Sequence, residues 1–368
     1  MSLPEFTIGI EEEYQIIEPE TRELTSYVQE FLEEGRLVLK DQIKPEFLQS
    51  QIEVGSQICH DIAEAREELI RLRRTIFRVA ENNGLLVAAA STHPFATWFE
   101  QEVSPSERYQ KHMEEMAYVA NRMLIFGMHV HVGIEDPDLR IDLMDQARYF
   151  LPHLLALSTS SPFWHGIHTG LKSYRSIVFE SLPRTGPPPA FRSWNEYERF
   201  VDLLIHTRCI EDATRIWWDI RPHSRFPTLE FRITDICTKV DEAICVAALI
   251  VGIVAKLYKL RRSNQSWRRY RHHLIQENKW RAVRYGTEGR LLDFGRGEEV
   301  DFPVLARELV EFVSDVADEL GIAREIAYVE TILAEGTSAD RQVRVWRETG
   351  DLKKVVDHVV AETRLGCE

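Results

Sequence analysis

Cysteine is scarce in this chain, and the common nucleotide-binding loops are missing. Among 368 residues there are five cysteines, Cys59, Cys209, Cys237, Cys245 and Cys367, with no CxxC pair. An odd, scattered set is the pattern of reduced thiols in a cytosolic protein, not of a disulfide framework. There is no GxxxxGK[ST] loop and no GxGxxG after a strand. A nucleotide, if bound, would have to be held by metal ions and arginines instead of a glycine-rich cradle. Basic residues are outnumbered: 45 Lys and Arg against 59 Asp and Glu give a net charge of −14. That deficit argues against a nucleic-acid partner, because phosphate backbones need a positive field. It is compatible with plain solubility, and with a nucleotide that brings its own Mg²⁺. The N-terminal MSLPEFTIGIEEEY lacks a basic segment followed by an apolar one, so no signal peptide is expected. The most apolar stretch, 243–260, contains Gly252, Lys256 and Lys259, which suits a buried helix better than a membrane span. The expected setting is the cytoplasm, away from membranes.

What is present is a series of short strands interleaved with amphipathic helices. Residues 6–17 predict a strand that contains Glu11, Glu12 and Glu13, and residues 51–58 a second one carrying Glu53. Asp61 caps a helix whose Ile62, Leu69, Leu72, Ile76 and Val79 follow helical spacing, with Gly84 as its stop signal. Residues 85–91 (LLVAAAS) predict a buried strand. Helices over 106–124 and 138–157 flank a strand at 125–134 (IFGMHVHVGI). Residues 158–193, with the rigid LPRTGPPP, form a long loop, ordered by Trp164, Tyr174 and Phe179. A helix over 195–207 precedes strands at 215–221 (RIWWDIR) and 228–234 (TLEFRIT). Beyond residue 241 the chain is almost wholly helical: 243–259 buried, 261–284 basic and solvated, the last hundred residues amphipathic. No repeat or linker interrupts it. The expectation is one α+β domain over 1–368, with an antiparallel or mixed sheet, helices on one face, and a helical C-terminal part from about 241.

Side chains two apart on a strand share a face, so Glu11 and Glu13 project to one side and Glu12 to the other. Ile8, Ile10, Ile16 and Ile17 make that strand at least partly buried. Neighbouring carboxylates there repel each other and lose hydration. A hard divalent cation, Mg²⁺ or Mn²⁺, relieves both penalties. A solvated acidic edge strand is the bland alternative. The strand GMHVHVG sets His129 and His131 on one face, opposite Met128, Val130 and Val132, and Gly127 and Gly133 leave room for close approach. One strand histidine is more often a packed core residue, but two at this spacing suit a metal or phosphate site. TLEFRIT sets Glu230 and Arg232 opposite Leu229, Phe231 and Ile233. That pair is either a structural ion pair or a phosphoryl-transfer pair, with Glu holding metal and Arg offsetting charge on the transferring oxygens. Arg221 in DIRP and Arg175 in KSYRS are further anion-binding candidates. Several strands thus offer Glu, His and Arg on one face and apolar residues on the other. A sheet lined with acids, filled by metals that receive a polyphosphate, explains that pattern.

The phrases FTIGIEEEYQI, QIEVG, THPF, FGMHVHVGIED, SYRS with the following LPRTGPP, and TLEFRITD occur in this order between about residues 6 and 236. Together they resemble the bacterial glutamate–cysteine ligase type 2 family, the carboxylate–amine ligases. The resemblance implies a glutamine-synthetase-like fold whose curved sheet forms a funnel for ATP and Mg²⁺ or Mn²⁺. Glu11 and Glu13 match the paired metal-binding glutamates of the first strand, Glu53 an acidic ligand on the next, and Glu230 a further metal ligand. His129 matches a histidine near metals and phosphates, and Arg232 an arginine facing the transferred phosphoryl group. Arg175 fits a contact to substrate carboxylate or phosphate, and Arg221 and His131 fit cofactor contacts, although many relatives in the wider superfamily carry a different polar residue at position 131. The implied chemistry converts a carboxylate to an acyl phosphate, which an amine such as that of cysteine attacks. No side-chain nucleophile is needed, so the cysteines, like Trp217 and Trp218, read as packing residues.

A metal-dependent amide hydrolase is the second reading, since paired histidines and glutamates can hold a metal that activates water. Indifference to ATP would mark it. A non-catalytic metal or small-molecule binder is the third, and there Glu11→Gln and Arg232→Ala would alter affinity only. The helical C-terminal third offers a surface either for a homo-oligomer or for ordinary intramolecular packing.

Overall fold

The computed structural model describes residues 3–368, so the first two residues of the expected domain lie outside the described residues. Its centre is β1 (Ile8–Ile17), in which Ile8, Ile10, Glu12 and Tyr14 are buried while Glu11 and Glu13 are half-buried on the opposite face. A helix α1 (Val28–Leu39) and a short β2 (Ile43–Pro45) lead to β3 (Gln51–Gly55), then α2 (Ile62–Asn82) and β4 (Leu86–Ala88). The helices α3 (Glu107–Met116) and α4 (Tyr118–Asn121) precede β5 (Met128–Gly133), followed by α5 (Pro137–Ala147) and α6 (Leu151–Ser158). A small hairpin of β6 (Phe163–Trp164) and β7 (Ile167–His168) comes next, then α7 (Tyr174–Phe179) and α8 (Trp194–His206). The strands β8 (Ile220–Pro222) and β9 (Thr228–Phe231) complete the main sheet, in the order β2-β3-β1-β5-β9-β8, with β4 pairing the C-terminal half of β1. Every pairing in it is antiparallel.

Register decides which polar residues become neighbours. Glu13 pairs with Glu53, Glu11 with His129, and His131 with Glu230, while Lys44 faces Glu53 and Arg221 faces Glu230. Directly opposed residues project to the same face, so one face of the sheet collects them all. The other face is covered by α2 and by α9 (Val240–Arg262). The N-terminus of α2 is capped by Asp61, which accepts the Glu64 N–H at 2.8 Å. Among the described residues α9 is the one helix long and apolar enough to cross a membrane, yet 78% of its apolar stretch is buried inside the fold. It is a core helix, packed against α2, α5, α6 and β5.

The C-terminal part comprises α10 (His272–Tyr285), the hairpin of β10 (Arg290–Asp293) and β11 (Glu298–Asp301), and α11 (Phe302–Leu320). The remaining helices are α12 (Ala323–Ala327), α13 (Val329–Glu335), α14 (Ser338–Thr349) and α15 (Leu352–Arg364). One apolar cluster runs from Phe6 to Cys367.

Several expected elements differ. The helix expected over 106–124 breaks at Ala117, which takes a positive φ of 49°. The strand expected over 215–221 contracts to its last residues, because the N–H groups of Trp217 and Asp219 donate to the carbonyls of Arg184 and Gly186 in the long loop. That loop itself contains β6, β7 and α7. The stretch 261–284 is not simply solvated: α10 buries Ile275, Asn278, Lys279, Ala282 and Val283.

Candidate active site

The polar face of the sheet forms the floor of a cavity of about 520 Å³. Glu11, Glu13, Glu53, His129, Arg175, Arg221, Glu230 and Arg232 all line it. His131 stands just behind this lining, with Nε2 3.7 Å from Glu11 Oε2. Residues drawn from six separate stretches of sequence therefore meet at one place.

The acids fall into two groups. Ligand atoms of Glu13, Glu46 and Glu53 lie within 4.8 Å of one another, and so do those of Glu11, His131 and Glu230. In the first group burial, and then mutual repulsion, hold the carboxyls up. Burial raises Glu13 to about 7, with Glu53 adding to the rise and Arg175 opposing it. Glu46 is pushed well above its ordinary value by burial and by the charges of Glu13 and Glu53. Glu53 is raised by burial and by Glu11, despite Lys44 at 3.1 Å. One oxygen of Glu13 accepts the Gly127 N–H at 2.6 Å. Three crowded carboxyls, of which Lys44 bonds only Glu53, make a group whose ionisation a hard cation would favour.

The second group is better compensated. Burial would raise Glu230, but Arg232 and Arg221 outweigh it and hold the carboxyl well below the usual range. Arg221 Nε lies 2.6 Å and Arg232 Nη1 2.5 Å from its oxygens. Burial would likewise raise Glu11, but His129 and His131 outweigh it and draw it well below. His129 Nδ1 sits 3.3 Å from Glu11 Oε2 and 3.5 Å from Arg232 Nη1. Burial, reinforced by Arg232, lowers His129 to about 4. His131 Nδ1 contacts Thr228 Oγ1 at 3.1 Å, leaving a buried Nε2 with no hydrogen-bond partner. An orphaned imidazole nitrogen beside two carboxylates fits a metal ligand.

The arginines differ in how far they are committed. Arg221 donates to Glu230 and to the carbonyls of Thr214 and Ile216, so most of its donors are committed to the protein. Arg175 makes no ion pair among the described residues. Its guanidinium donates only to the carbonyls of Arg232 at 3.2 Å and Ile233 at 3.5 Å. The Nε–H groups of Arg175 and Arg232 are buried without acceptors. Both guanidiniums stack over the Phe179 ring, at 5.6 and 6.0 Å. Arg175 owes its place to α7, whose N-terminal Ser173 donates to Asp235 at 2.8 Å. It also needs Gly127, where an added Cβ would lie 2.5 Å from Arg175 Nη2.

Glu46 is the residue that sequence reasoning missed. It follows β2, a strand too short to show periodicity, and it reaches the site only because β2 pairs β3. The signal available was slight: a glutamate after Pro45, three residues from Ile43. His131, and not the expected His129, has a ring nitrogen grouped with carboxylate oxygens of Glu11 and Glu230 closely enough to share a cation.

An antiparallel sheet floored with glutamates and histidines and edged with arginines is an arrangement able to hold divalent cations together with the anionic groups of a polyphosphate. A glutamate–cysteine ligase from Francisella tularensis, solved in complex with AMP, superposes with a TM-score of 0.74 at 13% identity, covering 100% of this chain and 91% of that one. A bifunctional glutathione synthetase from Pasteurella multocida superposes with a TM-score of 0.71 at 15% identity, covering 98% of this chain and 53% of that one. At such identities the likeness is one of fold. The sequence comparisons are narrower. A provisionally named glutamate–cysteine ligase 2 from Herpetosiphon aurantiacus is 55% identical over 361 residues, covering 98% of this chain and 94% of the relative. One of the same name from Solibacter usitatus is 52% identical over 364 residues, covering 99% and 94%. The model of glutamate–cysteine ligase family 2 matches residues 7–358, and the chain belongs to that family. None of these comparisons supports the amide-hydrolase alternative.

Proposed function

We propose that the chain joins a glutamate-type carboxylate to an amine, with cysteine the first candidate, through an acyl phosphate formed from ATP. The observation that carries the reading is the pair of acidic groups, Glu13–Glu46–Glu53 and Glu11–His131–Glu230, set side by side in one arginine-edged cavity. These donors suit Mg²⁺ or Mn²⁺, which when bound would neutralise phosphate oxygens and the carboxylates themselves. His129 adds a neutral imidazole between Glu11 and Arg232. Arg221 acts through Glu230, keeping it ionised.

In this reading Arg232 and Arg175 receive the anionic groups. Their buried, unpaired N–H groups suit the equatorial oxygens of a transferring phosphoryl group and a substrate carboxylate. A substrate carboxylate oxygen attacks the γ-phosphorus and ADP departs. The amine nitrogen then attacks the carbonyl carbon, the bond to phosphate breaks, and the nitrogen loses a proton. The site's contribution is alignment and charge compensation, with no nucleophile from the protein. The chain acts as one catalytic unit over residues 1–368, which the continuous apolar cluster supports. Its five cysteines are free, which suits a cytoplasmic setting.

Purified protein given glutamate, cysteine, ATP and Mg²⁺ should release ADP and phosphate, and Glu13→Gln should abolish the release while leaving the fold intact. Absence of ADP across a broad panel of amines and amino acids would overturn the reading.

A further inference from the structure

A buried lysine far along the chain bears on the arginines without entering the cavity. Lys279, on α10, is 3% exposed, and its ammonium lies 2.7 Å from both carboxylate oxygens of Asp219 and 2.7 Å from Glu180 Oε1. Lys279, Asp219 and Glu180 all lie outside the cavity lining. Each carboxylate, however, belongs to a segment that sets a guanidinium. The Asp219 carbonyl accepts the N–H of Arg232 at 2.8 Å and of Ile233 at 3.1 Å, and the Asp219 N–H donates to Gly186 of the long loop at 2.9 Å. Glu180 ends α7, directly after the Phe179 ring on which Arg175 and Arg232 both stack.

We propose that Lys279 is a positioning residue for phosphoryl transfer, clamping from the C-terminal part the two segments that aim Arg232 and Arg175. The role rests on the ligase reading above. Three N–H donors meet three carboxylate oxygens, so the ammonium is fully satisfied where it sits. Without it, the buried Asp219 carboxylate and the partly exposed Glu180 carboxylate would face each other and drive the end of α7 away from the segment entering β8. An apolar core residue of similar volume would stabilise the fold about as well as this ion triad. What the triad adds is direction: it fixes the Asp219 backbone, to which the Arg232 N–H is bonded, and the Phe179 ring beneath both guanidiniums.

The test uses the full chain with ATP, Mg²⁺, glutamate and a panel of amines. In Lys279→Met, kcat for ADP release should fall roughly ten- to a hundredfold, as a displacement of about an ångström in a positioned group does. The KM for ATP should stay within about threefold. In an Arg232→Lys background the same change should cause little further loss, since the group it positions is already altered. Glu180→Gln and Asp219→Asn keep the shape and the lysine, and each should lower kcat by about three- to tenfold through a weakened charged hydrogen bond. They carry the test if Lys279→Met does not fold. Unchanged kcat in every soluble variant, a loss confined to thermal stability, or losses that multiply fully with Arg232→Lys would overturn the assignment. A wild-type protein inactive with the whole panel would instead overturn the ligase reading itself.

Discussion

Three consecutive glutamates on β1 meet opposite fates. Glu12 points into the core, is fully buried, and is gripped by Arg73, whose Nη2 and Nε lie 2.5 and 3.1 Å from its two oxygens. Arg73 spends its remaining donors on the carbonyls of Thr238 and Cys237, and the Tyr14 hydroxyl donates to Glu12. Glu11 and Glu13, one residue away on either side, face the cavity, where Glu13 lies with Glu46 and Glu53 and the nearby Lys44 pairs with Glu53. Both faces bury carboxylates, but the Glu13–Glu46–Glu53 group, unlike Glu12, has no arginine paired to it among the described residues. The lesson is that a buried acid marks a functional site when its compensation is incomplete. Glu12 is structural by that measure, and the Glu13 group is the candidate place for a cation.

The comparison can be broken from either side. Arg73→Met leaves Glu12 buried without its partner and should destabilise the fold by about 3–5 kcal/mol, read by urea denaturation. Whatever remains folded should keep its specific activity; a selective loss of kcat would move Glu12 into the working site. Glu13→Gln should do the reverse, lowering activity by at least about a hundredfold while stability holds or rises. A drop in stability as large as that of Arg73→Met would erase the distinction between the two faces.

A third test uses the ion itself. Mg²⁺ at a hundred times its dissociation constant should stabilise the wild type by about 2.7 kcal/mol in a thermal or urea titration, and Glu13→Gln much less. The effect should depend on pH. Glu13 rises from 4.5 to about 7 on folding, so between those values the metal-free folded chain binds more protons than the unfolded one. Its stability therefore falls as pH rises through that window, and Mg²⁺ should restore more at pH 8 than at pH 5. Equal shifts at both pH values would argue against the acidic group as the binding place. The smallest expected effect is that of Tyr14→Phe, which removes one donor to Glu12 and should cost about 1.5 kcal/mol with activity unchanged.

Much of this was legible in the chain. The alternation Ile8, Ile10, Glu12, Tyr14 against Glu11 and Glu13 separates the two faces of β1 without any structure, because side-chain direction reverses at each residue of a strand. GMHVHVG and TLEFR work the same way, and the fold class followed from the order of helical and strand periods. Glu46 was not legible, since a three-residue strand has no period to show and its place depends on pairing with β3. Nor was the burial of α10: RRYRHHLIQENKW looks solvated, and Lys279 is buried only because Asp219 and Glu180 arrive from elsewhere to meet it.

By itself, then, the sequence determined which side chains share a face, since that is a matter of local backbone geometry. The tertiary structure alone decided how the acids divide into two groups and which arginines retain unpaired donors. Both depend on strand register and on contacts between residues far apart in the chain, where burial and neighbouring charge set the state of each group.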